Sequence, residues 1–261
     1  MTQDPLDGFA RYPSLQGRVA FVSGGATGLG AEFVMQLAAQ GARVGFVDID
    51  RGSGVALATA AASRGYPEPR FMECDVRDVP ALQAALVETA ERLGPVTVLV
   101  NNAANDQRRR LGELTVEQWD DGIAVNVRHH FFAAQAVAPM MRQAGGGSII
   151  NLGSISAHID LLDLPSYITA KAGIEGLTRT LARELGPDNI RVNCIIPGWI
   201  MTQRQLDTWV TPEAAASIDA NQALKHRLYP DDVARLLLWL AADDSRSCTG
   251  QNWIVDGGWI K

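Results

Sequence analysis

The chain has 261 residues, 47% hydrophobic, 20% charged and 7% aromatic, the balance of an ordinary globular protein long enough to bury one large core. Its 23 Lys+Arg against 29 Asp+Glu leave a net charge of −6, which does not suit a nucleic-acid binder, because such a protein needs a basic surface to displace counterions from phosphate. The apolar run 236–242 is too short for a membrane span, and three widely separated cysteines, Cys74, Cys194 and Cys248, do not make a disulfide framework.

In chain order, residues 1–5 have neither the basic nor the apolar region of a signal peptide, so a cytoplasmic protein is expected. The apolar run 19–22 reads as a strand, and 31–40 as a helix with Val34, Leu37 and Ala38 on one face. A strand at 44–47, an alanine-rich helical stretch at 55–62, a strand at 70–73 and a helix at 81–93 follow. Strand 96–100 leads into one long helical pattern over about 116–141, and strand 148–152 precedes a helix over about 167–185. After strand 191–196 come an irregular polar stretch, a helix near 231–242 and a last strand, 253–255. Seven short strands alternating with helices imply βαβ units, and the continuous apolar runs suit a parallel sheet buried on both faces. The fold class is therefore α/β, a doubly wound seven-stranded parallel sheet flanked by helices. No repeat or linker divides the chain, so 1–261 reads as one domain. Ligands of such sheets bind beyond the carboxyl ends of the strands, so the irregular stretch 198–227 reads as a lid.

Between the first strand and its helix lies Ser23-Gly24-Gly25-Ala26-Thr27-Gly28-Leu29-Gly30. Glycines there let the backbone turn tightly and approach a pyrophosphate, which the helix N-terminus attracts through free N–H groups. Eighteen residues beyond Gly30 the second strand ends at Asp48, whose carboxylate can accept from the adenosine ribose hydroxyls and would repel a 2′-phosphate. No basic residue occupies the glycine loop, although Arg51 lies close, so NAD is expected rather than NADP. Tyr167 and Lys171 are four apart on a predicted helix and project from one face. Phenol, with a pKa near 10, is a poor base at neutral pH, and a neighbouring ammonium would lower that pKa. Ser154, at the end of the fifth strand, can hold a reacting oxygen beside the phenol. Asn126 is polar within an apolar helical pattern and needs a partner. His129 and His130 are adjacent and cannot share a helix face, and no cysteine–histidine cluster has zinc spacing, so no metal is expected.

Together with Asp75-Val76, Asn101-Asn102-Ala103 and Pro197-Gly198 to Thr202, these motifs resemble the short-chain dehydrogenase/reductase family in its short form, from about residue 17 to 258. The resemblance implies a Rossmann fold, with Tyr167 as general acid/base, Lys171 lowering its pKa and binding the nicotinamide ribose, Ser154 polarising the substrate oxygen, and Asn126 holding a water in a proton relay to Lys171. It implies a cofactor cradle of Ser23, Gly24, Thr27, Gly28, Leu29, Gly30, Asp48, Asp75, Val76, Asn102, Ala103, Pro197, Gly198, Ile200 and Thr202, with Tyr167 and Lys171. It also implies a homotetramer with the helices around 116–141 and 167–185 between subunits. Two departures are visible: Ser23 stands where the family usually has Thr, and Ala104 where it usually has Gly.

The family alone does not fix the substrate. Asn105-Asp106-Gln107-Arg108, His158 and the segment 199–205 fall at strand carboxyl ends and are rich in amide, carboxylate, guanidinium and imidazole, as a sugar with several hydroxyls requires. They resemble the bacterial aldose 1-dehydrogenases, as do Cys248-Thr249-Gly250 and Tyr12-Pro13-Ser14-Leu15. That resemblance implies oxidation of a free aldose at its C1 hemiacetal to the lactone with NAD. Asn105, Asp106, Arg108, His158, Trp199, Gln203 and Arg204, beside Ser154 and Tyr167, are the expected substrate contacts. The alternatives are a polyol or sugar-acid dehydrogenase, a 3-oxoacyl thioester reductase, and a non-catalytic nucleotide-binding regulator, which last would predict a broken Ser/Tyr/Lys set.

Overall fold

A computed structural model describes residues 10–260; residues 1–5, free of signal-peptide features in sequence, lie outside them. Seven strands, β1 (Val19–Ser23), β2 (Arg43–Asp48), β3 (Arg70–Glu73), β4 (Val98–Asn101), β5 (Gly147–Leu152), β6 (Ile190–Pro197) and β7 (Asn252–Val255), form one sheet in the order β3-β2-β1-β4-β5-β6-β7. Every pairing is parallel; Phe21, for example, stands between Gly45 on β2 and Leu99 on β4.

Strand alternation sorts the apolar side chains into two layers. Ala20, Val22, Val44 and Phe46 join Phe33 and Leu37 of α1 (Gly28–Ala39), Ala58 of α2 (Arg51–Ser63) and Leu237 of α9 (Pro230–Ala241). Val19, Phe21, Leu99 and Ile149 face the other way, onto Leu82 of α3 (Val79–Leu93), Val137 of α5 (His129–Gln143) and Leu181 of α6 (Pro165–Leu185). The sequence reading of a doubly wound sheet holds. Among the described residues, no helix is long and apolar enough to cross a membrane.

Two expectations change. The long helix over 116–141 is broken: α4 (Val116–Ile123), opened by a Thr115/Gln118 capping box, passes through a π-helical turn at Ala124–Arg128 before α5 begins. The stretch 198–227 is not wholly irregular, since it contains α7 (Gln203–Thr208) and α8 (Pro212–Asn221). Thr202 and Thr211 cap these helices by accepting from Gln205 N and Ala214 N.

The strand order reverses between β1 and β4, leaving a crevice beyond their carboxyl ends, where such folds bind ligands.

Candidate active site

The β1–α1 turn forms the floor of that crevice. Gly24 and Gly28 adopt φ of +64° and +56°, open to glycine at little cost. A Cβ on Gly30 would sit 1.9 Å from the Gly24 carbonyl oxygen and 2.7 Å from Asn102 Nδ2, so only glycine lets helix and turn close up. Ser23 works as the expected Thr would: its Oγ accepts from Asn102 N at 3.0 Å and Ala103 N at 3.2 Å. Asn102 Nδ2 donates to the Ser23 and Gly24 carbonyls at 3.1 and 2.8 Å. Thr27 makes no side-chain cap on α1, which leaves the first-turn N–H groups for a ligand. Asp48 accepts from Ala26 N at 3.0 Å and Asp50 N at 3.1 Å, so its carboxylate lies against the turn, while Arg51 points to Glu73 at 3.9 Å. A cradle so tight that a methyl group would fill it, beside a helix N-terminus and a carboxylate, fits a dinucleotide.

Asp75 and Val76 follow β3. The Asp75 carboxylate is held by the Arg77 guanidinium, which keeps its pKa below the usual range, and Arg77 also binds Asp121. Val76 is buried.

Across the crevice, α6 starts at Pro165 and presents Tyr167 and Lys171 one turn apart. Lys171 Nζ lies 5.4 Å from the Tyr167 ring centre and donates to the Leu152 carbonyl at 2.7 Å. Ser154, whose Oγ accepts from Ser156 N at 3.1 Å, is hydrogen-bonded to the Tyr167 phenol. Burial lowers the Lys171 pKa to about 8, with Cys194 and Asp106 opposing. Tyr167 departs from the expected direction. Burial and the Asp106 charge push it up to about 12, against the Ser154 hydrogen bond and the Arg204 charge.

Asn126, in the π-helical turn, is 1% exposed and grips a loop. Its Oδ1 accepts from Asn105 N at 2.9 Å, and its Nδ2 donates to the Asn105 and Gly122 carbonyls at 3.0 and 2.9 Å. Both amide protons are thus spent on backbone. Beneath the 102–104 loop, buried His129 donates from Nε2 to the Ala103 carbonyl at 3.0 Å, and burial drives its pKa down to about 3.

These elements enclose a cleft of about 270 Å³. Leu29, Asn102, Asp106, Arg108, Ser154, Tyr167, Lys171, Pro197, Gly198, Trp199, Ile200 and Thr202 all line it, as the sequence led one to expect. Four expected substrate contacts do not. His158 turns away, its Nε2 lying 2.7 Å from Glu175 Oε1, a carboxylate that also accepts from Asn252 at 2.6 Å. Gln203 donates along α7 to Asp207 at 2.8 Å, and Asn105 Oδ1 accepts from Gln107 N at 3.1 Å. Arg204 meets the cleft through Asp106, donating to its Oδ1 at 2.7 Å.

Sequence reasoning missed Ser156, Ile159, Leu161, Leu164 and Trp259, so the cleft wall is more apolar than the motif residues imply; Gln205, within the expected segment 199–205, also lines it. Trp259 arrives because buried Asp256 accepts from Gly258 N and Ile260 N, both at 2.7 Å, and hooks the C-terminal segment inward. An Asp ahead of two glycines, Asp256-Gly257-Gly258, was the available signal.

A doubly wound sheet in which a glycine cradle faces a serine–tyrosine–lysine set across one cleft points to a single class of enzyme. Residues 24–260 match the family model described as enoyl-(acyl carrier protein) reductase, and the chain belongs to the short-chain dehydrogenase/reductase family of oxidoreductases. It is 48% identical over 249 residues to the probable galactose dehydrogenase GalD of Rhizobium meliloti (strain 1021), covering 95% of this chain and 97% of that protein. It is 49% identical over 250 residues to the D-xylose 1-dehydrogenase of Caulobacter vibrioides, covering 96% and 98%. Among solved structures it is similar to 7α-hydroxysteroid dehydrogenase complexed with NADH and 7-oxo glycochenodeoxycholic acid, with a TM-score of 0.90 and 29% identity over 100% of this chain and 98% of that one.

Proposed function

We propose that the protein oxidises a free aldose, a pentose or hexose, at its C1 hemiacetal to the lactone with NAD. The observation that carries this is the hydrogen-bonded Ser154–Tyr167 pair in a cleft of about 270 Å³, next to the glycine cradle. Asp106, Arg108 and Gln205 bring carboxylate, guanidinium and amide groups to that cleft, as the hydroxyls of a monosaccharide require. The names of the two sugar dehydrogenases at 48% and 49% identity support the same substrate class.

The nicotinamide cofactor, when bound, supplies the acceptor for the C1 hydride. Ser154 holds the C1 oxygen beside Tyr167, and the Tyr167 phenolate takes the C1 hydroxyl proton as the C1–H bond breaks. Lys171 presents its ammonium beneath that phenol and supports the charge that develops on it. Asp106, Arg108 and Trp199 line the cleft where the remaining hydroxyls and the sugar face would lie. Gly24, Gly28 and Gly30 carry the pyrophosphate, and Asp48 sets the preference for NAD by accepting from ribose hydroxyls. We read residues 1–261 as one cytoplasmic domain, closed by a 198–227 lid. We read the assembly as a homotetramer through the helices around 116–141 and 167–185, as membership of the family implies.

The test is initial-rate NADH formation with free aldoses, polyols, sugar acids and acyl thioesters, run in parallel with NAD and NADP. Turnover of a pentose or hexose with NAD is the expected result. Turnover confined to polyols, sugar acids or thioesters would overturn the hemiacetal assignment.

A further inference from the structure

We infer that Asp106 is a positioning residue, accepting hydrogen bonds from Arg204 and Gln205 so that it latches the lid over the cleft and ties lid closure to the Tyr167 site. This rests on the dehydrogenase reading above only for its kinetic readouts.

Four observations converge on Asp106. Its carboxylate faces α7 with both oxygens engaged, Oδ1 accepting from Arg204 Nη2 at 2.7 Å and Oδ2 from Gln205 Nε2 at 3.0 Å. The residue before it is anchored to the core, since the fully engaged Asn126 amide grips both the N–H and the carbonyl of Asn105. Two residues further on, the Arg108 guanidinium lies 4.2 Å over the ring of Trp209, just past the end of α7, a second bond between the same loop and the same lid. The roots of the lid are fixed as well: Ile200 bridges to Leu228, and Met201 N donates to the Leu228 carbonyl at 2.8 Å. The far part of the lid is fastened too, by buried Ile218 on α8 and by Leu224 N donating to the Gly257 carbonyl at 2.9 Å, so it is α7, held by half-exposed polar contacts, that opens when those contacts break.

The same contacts bear on the base. The charged groups around the Tyr167 phenol are Lys171 on its own helix, Asp106 and Arg108 on the loop after β4, and Arg204 on α7, while the loop after β5 contributes the Ser154 hydroxyl. Asp106 favours the protonated phenol and Arg204 the phenolate, so the closed latch sets one charge against the other. Opening the lid carries Arg204 away and leaves Asp106 near Tyr167 without its α7 counter-charge. Of this pair, the charge that favours the phenolate stays beside Tyr167 only while the lid is shut, and it works there against the burial that raises the phenol.

Asp106→Asn and Arg204→Gln separate the latch from direct substrate contact. Hydrogen exchange of residues 203–209 in the protein without substrate reads the latch whatever the substrate proves to be. Both variants should exchange there about fivefold faster than the parent, and both should raise KM about fivefold. The acid limb of the pH–rate profile should move in opposite directions, on the order of half a pH unit down in Asp106→Asn and up in Arg204→Gln. Unchanged exchange in both variants would overturn the latch. A KM effect in Asp106→Asn alone would make Asp106 a substrate contact instead. Limbs that shift together, or not at all, would overturn the coupling to Tyr167. If no sugar is turned over but exchange rises in both variants, the latch stands and the substrate assignment fails.

Discussion

Gly30→Ala puts a number on the closeness of the cradle. The added Cβ would begin 1.9 Å from the Gly24 carbonyl oxygen, where ordinary contact needs about 3.5 Å, so helix and turn must part by roughly 1.5 Å. The carbonyl cannot retreat freely, because it accepts from Asn102 Nδ2 at 2.8 Å, and that Nδ2 would itself lie 2.7 Å from the methyl. Overpacking costs about 1–3 kcal/mol and the strained hydrogen bond about 1 more, or roughly 2–4 kcal/mol altogether. Borne by the fold, this lowers Tm by on the order of 4–16 °C; borne by the bound state, it weakens NAD by about 30- to 1,000-fold. Differential scanning fluorimetry and calorimetric titration of NAD together measure both shares. Gly112→Ala is the control, since nothing lies within 4 Å of its Cβ. A Gly30→Ala protein with unchanged Tm and unchanged NAD affinity would refute the argument that the turn must touch the helix.

Tyr167→Phe should reduce turnover at least a thousandfold while NAD still binds, and retained turnover would remove Tyr167 from the acid–base role. Asp48→Ala should cut the kcat/KM preference for NAD over NADP about tenfold or more, because the carboxylate against the turn no longer repels a 2′-phosphate; an unchanged ratio would show that another group discriminates. His129 titrates near 3 in the fold and near 6.5 unfolded, so its contribution is present above pH 6.5 and is lost as pH falls toward 3. By pH 5 that is about 2 kcal/mol, or about 4–8 °C of the Tm fall from pH 7.5, and His129→Gln should remove that share of the slope, while neighbouring His130, whose pKa burial also holds down, keeps its own. An equally steep slope in the variant would mean that His129 is not the group responsible.

Much of this molecule was legible before folding, because the signals were local. Strand periodicity, the glycine turn and the Tyr167/Lys171 spacing each depend on a few neighbouring residues, and the core positions of β1, such as Phe21 and Val22, follow from burial on both faces. Asp48 and Ser154 were readable for the same reason, since both stand where a predicted strand ends. The break within 116–141 was not readable, since the π-helical turn at Ala124–Arg128 is held by a bond from Asn126 to a loop twenty-one residues away. The helices of the lid were missed where Thr-capped turns, visible at Thr202 and Thr211, went unused.

The sequence by itself determined the kind of chain this is and which residues could meet a dinucleotide and a hydroxyl, because backbone propensity and motif spacing act over short range. Tertiary structure alone decided which polar residues face the cleft. His158 and Asp106 are both polar residues at strand ends, yet one pairs with Glu175 on α6 and the other with Arg204 on α7. The direction of the Tyr167 shift was settled the same way, because desolvation and the Asp106 charge come from elements that only packing brings around the phenol. Side-chain orientation and electrostatic environment are sums over neighbours distant in sequence, and those neighbours exist only once the sheet has brought the loops together at its carboxyl edge.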